Sequence, residues 1–244
     1  MILNEKRVQE LSRLEADLQV CFQDKRLLSL ALTHISFVNE NKLVDFGNNE
    51  RLEFLGDSIL KFSIAEKIYS FYPGKNEGEL SKLQAVLVRD SLLFELAQKY
   101  NIGKYILFGR NEEKNNGAQR DSNLANALEA VYGALCLDQG SEIAKQFIQR
   151  LYQKYIVNPE LLDKFLDSKT RLQEYSQGEN LGLPIYSVIE ETGPDHNKTF
   201  TVKVEFKSDT VHYEDTGQGR SKKVAEQEAA GNLLNKIISL GNLK

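Results

Sequence analysis

Cysteine and histidine are scarce in this chain, which has two cysteines and three histidines among its 244 residues. Cys21 and Cys136 lie far apart without the spacing of metal ligands, and both fall in stretches whose apolar pattern predicts helix. Because neither a disulfide framework nor a zinc motif fits this spacing, we expect free, reduced thiols in the core. The scattered histidines likewise give no zinc pattern.

Long apolar runs and net positive charge are also missing. No uninterrupted hydrophobic segment approaches the roughly 20 residues that span a membrane, and the first residues, MILNEKRVQE, lack the apolar core of a signal peptide. These absences predict a cytoplasmic protein without a membrane partner. The formal net charge of −4 argues against indiscriminate nucleic-acid binding by bulk charge, but it allows a local basic surface.

Two kinds of periodicity divide the chain, which is long enough for two domains with separate cores. Residues 1–155 show apolar positions at helical spacing almost throughout, and turn signals separate the helices. The helical segments include VQELSRLEADL, RLLSLALTHISF, NERLEFLGDS and ELSKLQAVLVRDSLLFELAQKY. We expect an all-α first domain, a linker at residues 156–168, and a second domain at residues 169–244.

The second domain changes to the two-residue period of β-strands. A short helix, TRLQEYSQG, ends at Gly178, and the three strands that follow are PIYSVIEETG, KTFTVKVEF and TVHYEDTGQG. A final helix from about Ser221 to Leu240 is expected to bury Val224, Ala225, Ala229, Leu233, Leu234 and Ile237. The order α-β-β-β-α predicts a small α+β unit with two helices on one face of an antiparallel sheet.

The stretch NNERLEFLGDS carries three carboxylates at helical spacing, Glu50, Glu53 and Asp57. Spacings of three and four place all three on one face of a helix, where like charges repel. Arg51 and Lys61 are expected to lie off this face. A hard cation such as Mg²⁺ would offset the repulsion because it takes oxygen ligands. An ordinary acidic helix surface is the alternative interpretation.

A second acidic helix is expected in DSNLANALEAVYGALCLD, where Ser122 can cap the helix. Asn126 and Glu129 then lie one turn apart, and the helix has an apolar side for burial. The apolar side consists of Leu124, Leu128, Val131 and Leu135.

A basic cluster directly precedes the final helix, in GQGRSKK. Arg220, Lys222 and Lys223 add positive charge where the backbone N–H groups of a helix start attract phosphate. Cations at a helix N-terminus oppose the helix dipole, so they need some other partner. The cluster therefore predicts a phosphate-binding site, with a solvated basic turn as the alternative.

The string NERLEFLGDS resembles the signature of the ribonuclease III family almost letter for letter. In that family a second helix packs against the signature helix and completes a metal site with an Asp and a Glu. The resemblance implies a site for Mg²⁺, with Mn²⁺ as a substitute, and no small-molecule cofactor. The metal ligands that it implies are Glu53, Asp57, Asn126 and Glu129, of which Asp57 and Glu129 are the catalytic residues.

Asn126 departs from the family pattern, which has an Asp at this place. An asparagine can still ligate Mg²⁺ through its carbonyl oxygen, but it brings no charge to the ion, so weaker metal binding is expected. Gln84 stands where the family usually has a basic residue, and the basic cluster before Asp121 is reduced to Ala118-Gln119-Arg120. Both changes imply weaker contact with the RNA backbone.

The string GRSKKVAEQEAA and the α-β-β-β-α order resemble a double-stranded RNA-binding domain over residues 169–240. Domains of this type cover about 16 base pairs and recognise A-form shape rather than sequence. The resemblance implies three groups of RNA contacts. They are Thr170, Gln173 and Glu174 on the first helix, Pro194 and His196 between the first two strands, and Arg220, Ser221, Lys222 and Lys223 at the last helix.

Together the two resemblances imply a homodimeric endonuclease that hydrolyses double-stranded RNA during RNA processing and maturation. They imply 5′-phosphate and 3′-hydroxyl ends with a stagger between the strands. Glu50 and Glu77 would support the site or contact RNA, and Phe54 would insert into the partner subunit, with an internal core phenylalanine as the alternative. Two other functions stay open: an RNA-binding regulator that lost its chemistry at Asn126, and a helical dimerisation module without a metal site.

Overall fold

A computed structural model of the chain describes residues 3–42, 47–165, 168–194, 198–207 and 212–239. The chain divides into two compact units, Met1–Phe165 and Leu166–Lys244. The first unit is helical and the second combines a sheet with helices, so the predicted fold class is confirmed. Within the described ranges, no helix combines the length and the apolar character that crossing a membrane requires.

The first unit contains nine α-helices among its described residues. They are α1 (Glu5–Leu18), α2 (Lys25–Ala31), α3 (Ile35–Glu40), α4 (Glu50–Phe71), α5 (Glu77–Leu87), α6 (Asp90–Lys99), α7 (Arg110–Lys114), α8 (Asp121–Gln139) and α9 (Ser141–Val157). Short 3₁₀ segments lie at Ile102–Tyr105, Gly117–Gln119 and Pro159–Phe165. The last of these falls within the predicted linker, and its Leu162 is 3% exposed, so this segment packs onto the first unit.

The helices α4 and α8 form the centre of this unit, since no two elements pack together more extensively. The four predicted apolar positions of α8, Leu124, Leu128, Val131 and Leu135, are at most 3% exposed. Every position of α8 between residues 127 and 135 is buried. Burial on all faces of the helix fits the small and apolar residues that occupy most of these positions. The core of the first unit is therefore built around α8.

The predicted helix RLLSLALTHISF is wrong as a single element, because the chain breaks between α2 and α3. The His34 N–H donates to the carbonyl of Leu107 at 3.1 Å, and the Leu107 N–H donates to the carbonyl of Leu32 at 2.8 Å. The Nδ1 atom of His34 then accepts the Ser36 N–H and caps α3. A bridge to a distant segment and a cap thus end a helix that apolar spacing alone would extend.

The predicted helix ELSKLQAVLVRDSLLFELAQKY is also wrong as one element. Helix α5 ends at Leu87 and α6 begins at Asp90, with Arg89 extended between them at φ −76° and ψ 141°. An acidic residue in the first turn suits the dipole of a new helix. The break allows α6 to pack against α8, while α5 packs against α4.

The second unit has the predicted order of elements. They are α10 (Ser168–Gly178), β1 (Ile185–Thr192), β2 (Thr199–Lys207), β3 (His212–Gly219) and α11 (Lys222–Ser239). The strands form an antiparallel sheet in the order β1-β2-β3, in which Phe206 lies opposite Tyr213. A core that includes Leu172 of α10, Phe206 of β2 and Leu233 of α11 joins the sheet to both helices.

Two predicted burials are wrong. Val224 is 54% exposed because it lies on the flank of α11, whereas the five other positions predicted for this helix are buried. Cys21 is exposed because it lies in the loop after α1 rather than in a helix, and Cys136 on α8 is partly exposed. Both thiols are free, as predicted.

Candidate active site and nucleic-acid interface

Helix α4 carries the first group of acidic side chains near its start. The helix begins at Glu50, whose N–H donates to the side chain of Asn48 at 3.0 Å. Glu50 is exposed, and Glu53 and Asp57, one turn further on at each step, are half-buried. The charges of both half-buried carboxylates raise the pKa of Glu129 on the second acidic helix, α8.

Lys61 does not lie off this acidic face, so that prediction is wrong. Its Nζ donates to the Asp57 Oδ2 atom at 2.8 Å, across one helical turn. Residues four apart on a helix are neighbours, and a Lys placed after an Asp at this spacing forms an ion pair. The hydrogen bond to Asp57 raises the pKa of Lys61. The positive charge of Lys61 lowers the pKa of Glu129 on α8.

Helix α8 contributes Asn126 and Glu129. Asn126 is half-buried and Glu129 is 9% exposed. The prediction that Ser122 caps this helix is wrong, because the helix already begins at Asp121 and makes no side-chain cap. Ser122 therefore lies inside the first turn, and the cap position falls on Arg120.

Burial and repulsion together perturb the carboxyl groups of this acidic cluster, which we define as Glu53, Asp57, Asn126 and Glu129. Burial, followed by the charges of Asp57 and Glu53, raises the pKa of Glu129 to about 8. Burial and the charge of Glu50 raise the pKa of Glu53. Carboxylates from two helices therefore share one electrostatic environment, and a divalent cation would stabilise their charged forms.

Asn126 contacts the first helix directly, because its side-chain amide forms a hydrogen bond with Glu53 that lowers the pKa of that carboxyl. The amide N–H is the donor, since a carboxylate only accepts. With the N–H group turned to Glu53, the carbonyl oxygen of the same amide is the atom that can ligate a cation. Asn126 thus links the two helices without adding charge.

Asp90, at the start of α6, is a neighbour of this cluster that spacing along the sequence did not reveal. Its charge raises the pKa of both Glu53 and Glu129. Asp90 lies 33 positions after Asp57 and belongs to another helix, so no local pattern connects them. Only the packing of α6 against α8 brings it close.

The donor chemistry of the acidic cluster suits a hard divalent ion, since it offers three carboxylates and one amide oxygen. The carboxylate oxygens of Glu53, Asp57 and Glu129 do not all lie within 4.8 Å of one another. Among the described residues, the group whose ligand atoms all lie within 4.8 Å of one another is instead Glu205, His212 and Glu214. Lys203 already pairs with both of those glutamates, at 2.7 and 2.8 Å.

Gln84 and Glu77 lie on α5, beside α4. The Gln84 side-chain amide donates to the backbone carbonyl of Lys61 at 2.9 Å, so it ties the two helices together. Glu77 is exposed and accepts a hydrogen bond from the Ser81 hydroxyl at 2.8 Å. Neither residue contributes to the pKa shifts of Glu53 or Glu129.

Phe54 lies on the opposite side of the signature helix from the core and is 78% exposed. This exposure excludes the alternative of an internal core phenylalanine. Beside it lies an open hollow of about 1410 Å³ with mainly apolar walls. The side chains around it include Leu27, Leu30, Ile35, Val38, Leu55 and Leu137.

In the second unit, the described residues predicted to contact RNA are all exposed: Thr170, Gln173, Glu174, Pro194, Arg220, Ser221, Lys222 and Lys223. His196 lies outside the described residues. The Ser221 hydroxyl accepts the Val224 N–H at 3.3 Å, so it caps α11. Lys222 pairs with Glu191 at 3.3 Å and lies over the Phe200 ring at 5.6 Å. The basic turn is thus held at a helix N-terminus, where phosphate binds favourably.

Comparison with known protein families supports both halves of this description. Residues 24–156 match the Ribonuclease-III-like family, and residues 168–237 match the double-stranded RNA binding motif. The two matched segments correspond to the helical unit and the α+β unit.

Individual relatives are similar over nearly the whole chain. A ribonuclease 3 of Haemophilus influenzae is 43% identical over 93% of this chain and 97% of its own length. A ribonuclease 3 of Leptospira interrogans is 41% identical over 96% of this chain and 93% of its own length. A solved nuclease domain of Campylobacter jejuni ribonuclease III, described for flexibility in a region involved in dimer formation, is 42% identical. The structural match covers 59% of this chain and 96% of the solved domain, with a TM-score of 0.55.

Proposed function

The chain belongs to the ribonuclease III family and is an endoribonuclease, and from that premise we propose that its cleavage of double-stranded RNA depends on Mg²⁺. The observation that carries the proposal is the environment of Glu129. This carboxyl is 9% exposed, and burial together with Asp57 and Glu53 raises its pKa to about 8. A bound divalent ion would favour the ionised form, because metal ligands are deprotonated.

Bound Mg²⁺ would activate the attacking water and stabilise the leaving oxygen of the phosphodiester. Glu53 and Asp57 from α4 and Glu129 from α8 would hold the ion, with Asn126 contributing its carbonyl oxygen. Mn²⁺ takes the same oxygen ligands and can substitute. Attack by water with departure of the 3′ oxygen leaves 5′-phosphate and 3′-hydroxyl ends.

The proposal includes a homodimer, whose two sites cut opposite strands with a stagger. In this arrangement Phe54 of one copy would fill the apolar hollow of the other, which removes its exposed ring from water. Its exposure beside the hollow supports this arrangement. The relative from Campylobacter jejuni, with its region involved in dimer formation, supports it independently.

The second unit would hold the duplex for the nuclease domain. Its basic turn, Arg220 to Lys223, would bind phosphates, and α10 and the loop that contains Pro194 and His196 would contact the grooves. Glu50 and Glu77 would support the site or contact RNA. The setting would be RNA processing and maturation in the cytoplasm.

A cleavage assay on a long, uniformly labelled RNA duplex tests this function. We expect Mg²⁺-dependent cutting by the native chain and a loss of about a hundredfold or more in Glu129→Gln, since one ligand and its charge are removed. Asn126→Asp should raise the rate, because it adds a charged ligand. End labelling then reads whether the products carry 5′-phosphates. Absence of Mg²⁺-dependent cutting in both the native chain and Asn126→Asp would overturn the proposal.

A second candidate function is a regulator that binds duplex RNA without cutting it. The observation that favours it is the hydrogen bond from the Asn126 amide to Glu53, which engages a predicted metal ligand with a neutral group. This function would be selected if the native chain and Asn126→Asp both bind duplex RNA and neither cleaves it. A saturable Mg²⁺ site in the same preparation would exclude the simple dimerisation module.

A further inference from the structure

His34 is a half-buried histidine that lies outside the acidic cluster, at the junction between α2 and α3. The carbonyl of the residue before it, Thr33, accepts the N–H of Asn49 at 3.0 Å, and Asn49 directly precedes α4. The His34 N–H donates to the carbonyl of Leu107, and the imidazole ring lies 5.2 Å from the ring of Phe108. The backbone therefore holds the imidazole between the start of α4 and the segment that leads into α7.

The hydrogen bonds at Nδ1 fix which ring nitrogen of His34 carries the proton. Nδ1 accepts the Ser36 N–H at 3.2 Å and lies 2.8 Å from the Ser36 hydroxyl oxygen. That oxygen already accepts the Gly109 N–H at 2.9 Å, so its own proton is free to bond to Nδ1. Burial lowers the pKa of His34, so the ring is neutral at pH 7. A neutral ring that accepts at Nδ1 has its proton on Nε2, which makes Nε2 a donor and neither a base nor a metal ligand.

The imidazole of His34 lies about one helical turn from the acidic cluster. The charges of Glu112 and Glu50 are the two that act most strongly on this ring. Glu50 is one turn before the cluster on α4. Glu112 accepts the side-chain amide of Asn123 at 3.0 Å, and Asn123 is one turn before the cluster on α8. The imidazole therefore lies beside the starts of both helices, and one helical turn is about 5.4 Å.

The two carboxylates near His34 differ in what they have already bound. Glu112 forms an ion pair with Arg120 at 3.0 Å, which offsets its charge. Glu50 is exposed, accepts the side-chain amide of Asn48 at 3.0 Å, and has no ion pair with any residue that the structure describes. Within the described part of the chain, the Nε2 atom of His34 likewise has no hydrogen-bond partner. A neutral donor and an unpaired carboxylate thus remain open next to the acidic cluster.

A neutral donor beside an unpaired carboxylate suits a hydroxyl group better than a phosphate. The carboxylate of Glu50 repels a phosphate. A hydroxyl can accept from Nε2–H and donate to the carboxylate at the same time. The ribose 2′-hydroxyl is such a group, and it is the group that distinguishes RNA from DNA. With cleavage at the acidic cluster, the riboses on either side of the cleaved phosphodiester would come within reach of this pair.

We propose that His34 and Glu50 together bind the 2′-hydroxyl of a ribose beside the cleaved phosphodiester, with Nε2–H as the donor and the Glu50 carboxylate as the acceptor. His34 is then a specificity-determining residue, which selects ribose over deoxyribose at one position. This rests on the proposed function, because the acidic cluster must be the place of cleavage. A site built to hydrogen-bond a hydroxyl disfavours an analogue without it, since the polar groups of the site lose their partner.

A purely structural role is the competing explanation, because His34 also caps α3 through Nδ1. The variant His34→Asn separates the two explanations. Asparagine is among the best capping residues, so its side-chain oxygen takes the place of Nδ1, but no atom of asparagine reaches the position of Nε2. A structural role predicts that the folded variant treats ribose and its analogues as the native chain does.

The test is cleavage, with Mg²⁺, of a set of short RNA duplexes that share one cleavage site. Each duplex carries one 2′-fluoro ribose, which keeps the sugar pucker of A-form RNA but cannot donate a hydrogen bond, and the set scans the nucleotides on both sides of the cut. We expect one position at which 2′-fluoro slows the native chain about 10- to 50-fold, the range for one or two lost hydrogen bonds. His34→Asn should cut the all-ribose duplex more slowly by a similar factor and lose most of the sensitivity at that position.

Two further variants complete the test. Glu50→Ala, at an exposed position of α4, should lose most of the sensitivity at the same nucleotide, and it keeps the proposal testable if His34→Asn does not fold. His212→Asn removes a histidine from the second unit and should respond to every duplex as the native chain does. Circular dichroism and thermal unfolding verify the fold of each variant.

The proposal is overturned if the native chain tolerates 2′-fluoro at every scanned position, or if either variant, once folded, keeps the native sensitivity. A native chain that binds the duplexes without cutting them would end the nuclease function. The same scan is then read from dissociation constants, measured by fluorescence anisotropy with Mg²⁺ present. A loss of affinity at one position that largely disappears in both variants would still support the 2′-hydroxyl contact, and the absence of such a position would overturn it.

Discussion

Gly56 of α4 and Gly133 of α8 face each other where the two central helices cross. A side-chain carbon on Gly56 would meet the backbone carbonyl of Glu129, and one on Gly133 would meet the carbonyl of Leu52. The helices therefore touch backbone to backbone at this crossing. Because Gly56 lies between Glu53 and Asp57 in the chain, the same contact sets both carboxylates against Glu129.

Gly133→Ala should destabilise the first unit by about 2 kcal/mol or more. Alanine stabilises a helix by about 1 kcal/mol relative to glycine. Forcing a methyl group against a rigid backbone can cost about 3 kcal/mol or more. The clash therefore outweighs the gain in helix propensity. Urea unfolding followed by circular dichroism measures the change in the free energy of unfolding.

Gly78→Ala is the matched control for this variant. Gly78 also lies in a helix, but an added carbon there meets only the side-chain oxygen of Asn76, at 3.4 Å. The free energy of unfolding of Gly78→Ala should equal that of the native chain or exceed it slightly. Equal stability of Gly133→Ala and the native chain would contradict the idea that a close helix contact builds the site.

The perturbed carboxyl of Glu129 predicts how stability depends on pH when no metal is present. Its pKa is about 8 in the folded chain and about 4.3 in an unfolded one, so the folded state holds this proton more tightly. Stability from this group is fully present below about pH 4 and is lost as the pH rises through 8. The native chain in a chelator should therefore become less stable from pH 5 to pH 9.

Glu129→Gln isolates this effect, because glutamine keeps the shape and cannot ionise. At pH 9 in a chelator the variant should be more stable than the native chain by roughly 2–5 kcal/mol, and at pH 4 the difference should largely vanish. Addition of Mg²⁺ at pH 9 should stabilise the native chain alone. The idea fails if the difference in stability between the two proteins is the same at both pH values.

Phe54→Ala should weaken self-association without weakening the fold. The ring is 78% exposed within one chain, so its removal costs that chain little burial. In a dimer, an aromatic side chain that fills an apolar hollow is a typical hot spot, whose loss costs about 2–4 kcal/mol, or roughly 30- to 1000-fold in the dissociation constant. Sedimentation equilibrium measures this constant.

Tyr69→Ala is the control for Phe54, since Tyr69 is another aromatic residue of α4 and is 73% exposed. It lines a different hollow, between α4 and α5. The dissociation constant of the dimer should therefore be the same in Tyr69→Ala and in the native chain. If Tyr69→Ala weakens dimerisation and Phe54→Ala does not, the dimer interface lies on the Tyr69 side of α4, and the proposed role of Phe54 is contradicted.

The parts of the structure that sequence reasoning predicted are those with a local cause. The face that carries Glu53 and Asp57 follows from helical spacing, and the alternation from Phe200 to Phe206 identified β2. The errors have distant causes. His34 ends a helix because it bonds to Leu107, 73 positions away, and Asp90 reaches the acidic cluster only through the packing of α6 on α8.

The position of Lys61 shows a different kind of error. Its spacing of four from Asp57 was visible in the sequence, and on a helix this spacing brings two side chains together. What the spacing alone does not decide is whether the pair turns toward solvent or toward a neighbouring helix. That depends on where Glu129 lies, which the crossing of α4 and α8 determines.

The basic turn of the second unit should contribute to RNA affinity through charge. Lys222 pairs with Glu191 at 3.3 Å, but an exposed ion pair of this kind is worth at most about 1 kcal/mol, so a phosphate can replace the glutamate. The double variant Lys222→Ala and Lys223→Ala should lose two phosphate contacts. The slope of log affinity against log salt concentration should then fall in magnitude by about 2.

Fluorescence anisotropy with a labelled RNA duplex, at several salt concentrations and in a chelator that prevents cleavage, measures this slope. Lys236→Ala is the control, because Lys236 lies in the last turn of α11 and donates to the carbonyl of Glu214 at 3.0 Å. Glu191→Gln should strengthen binding, since it removes the competitor of the phosphate while both lysines stay in place. A salt slope that is the same in the double variant and the native chain would mean that neither lysine contacts a phosphate, and the predicted RNA surface would then have to exclude the start of α11.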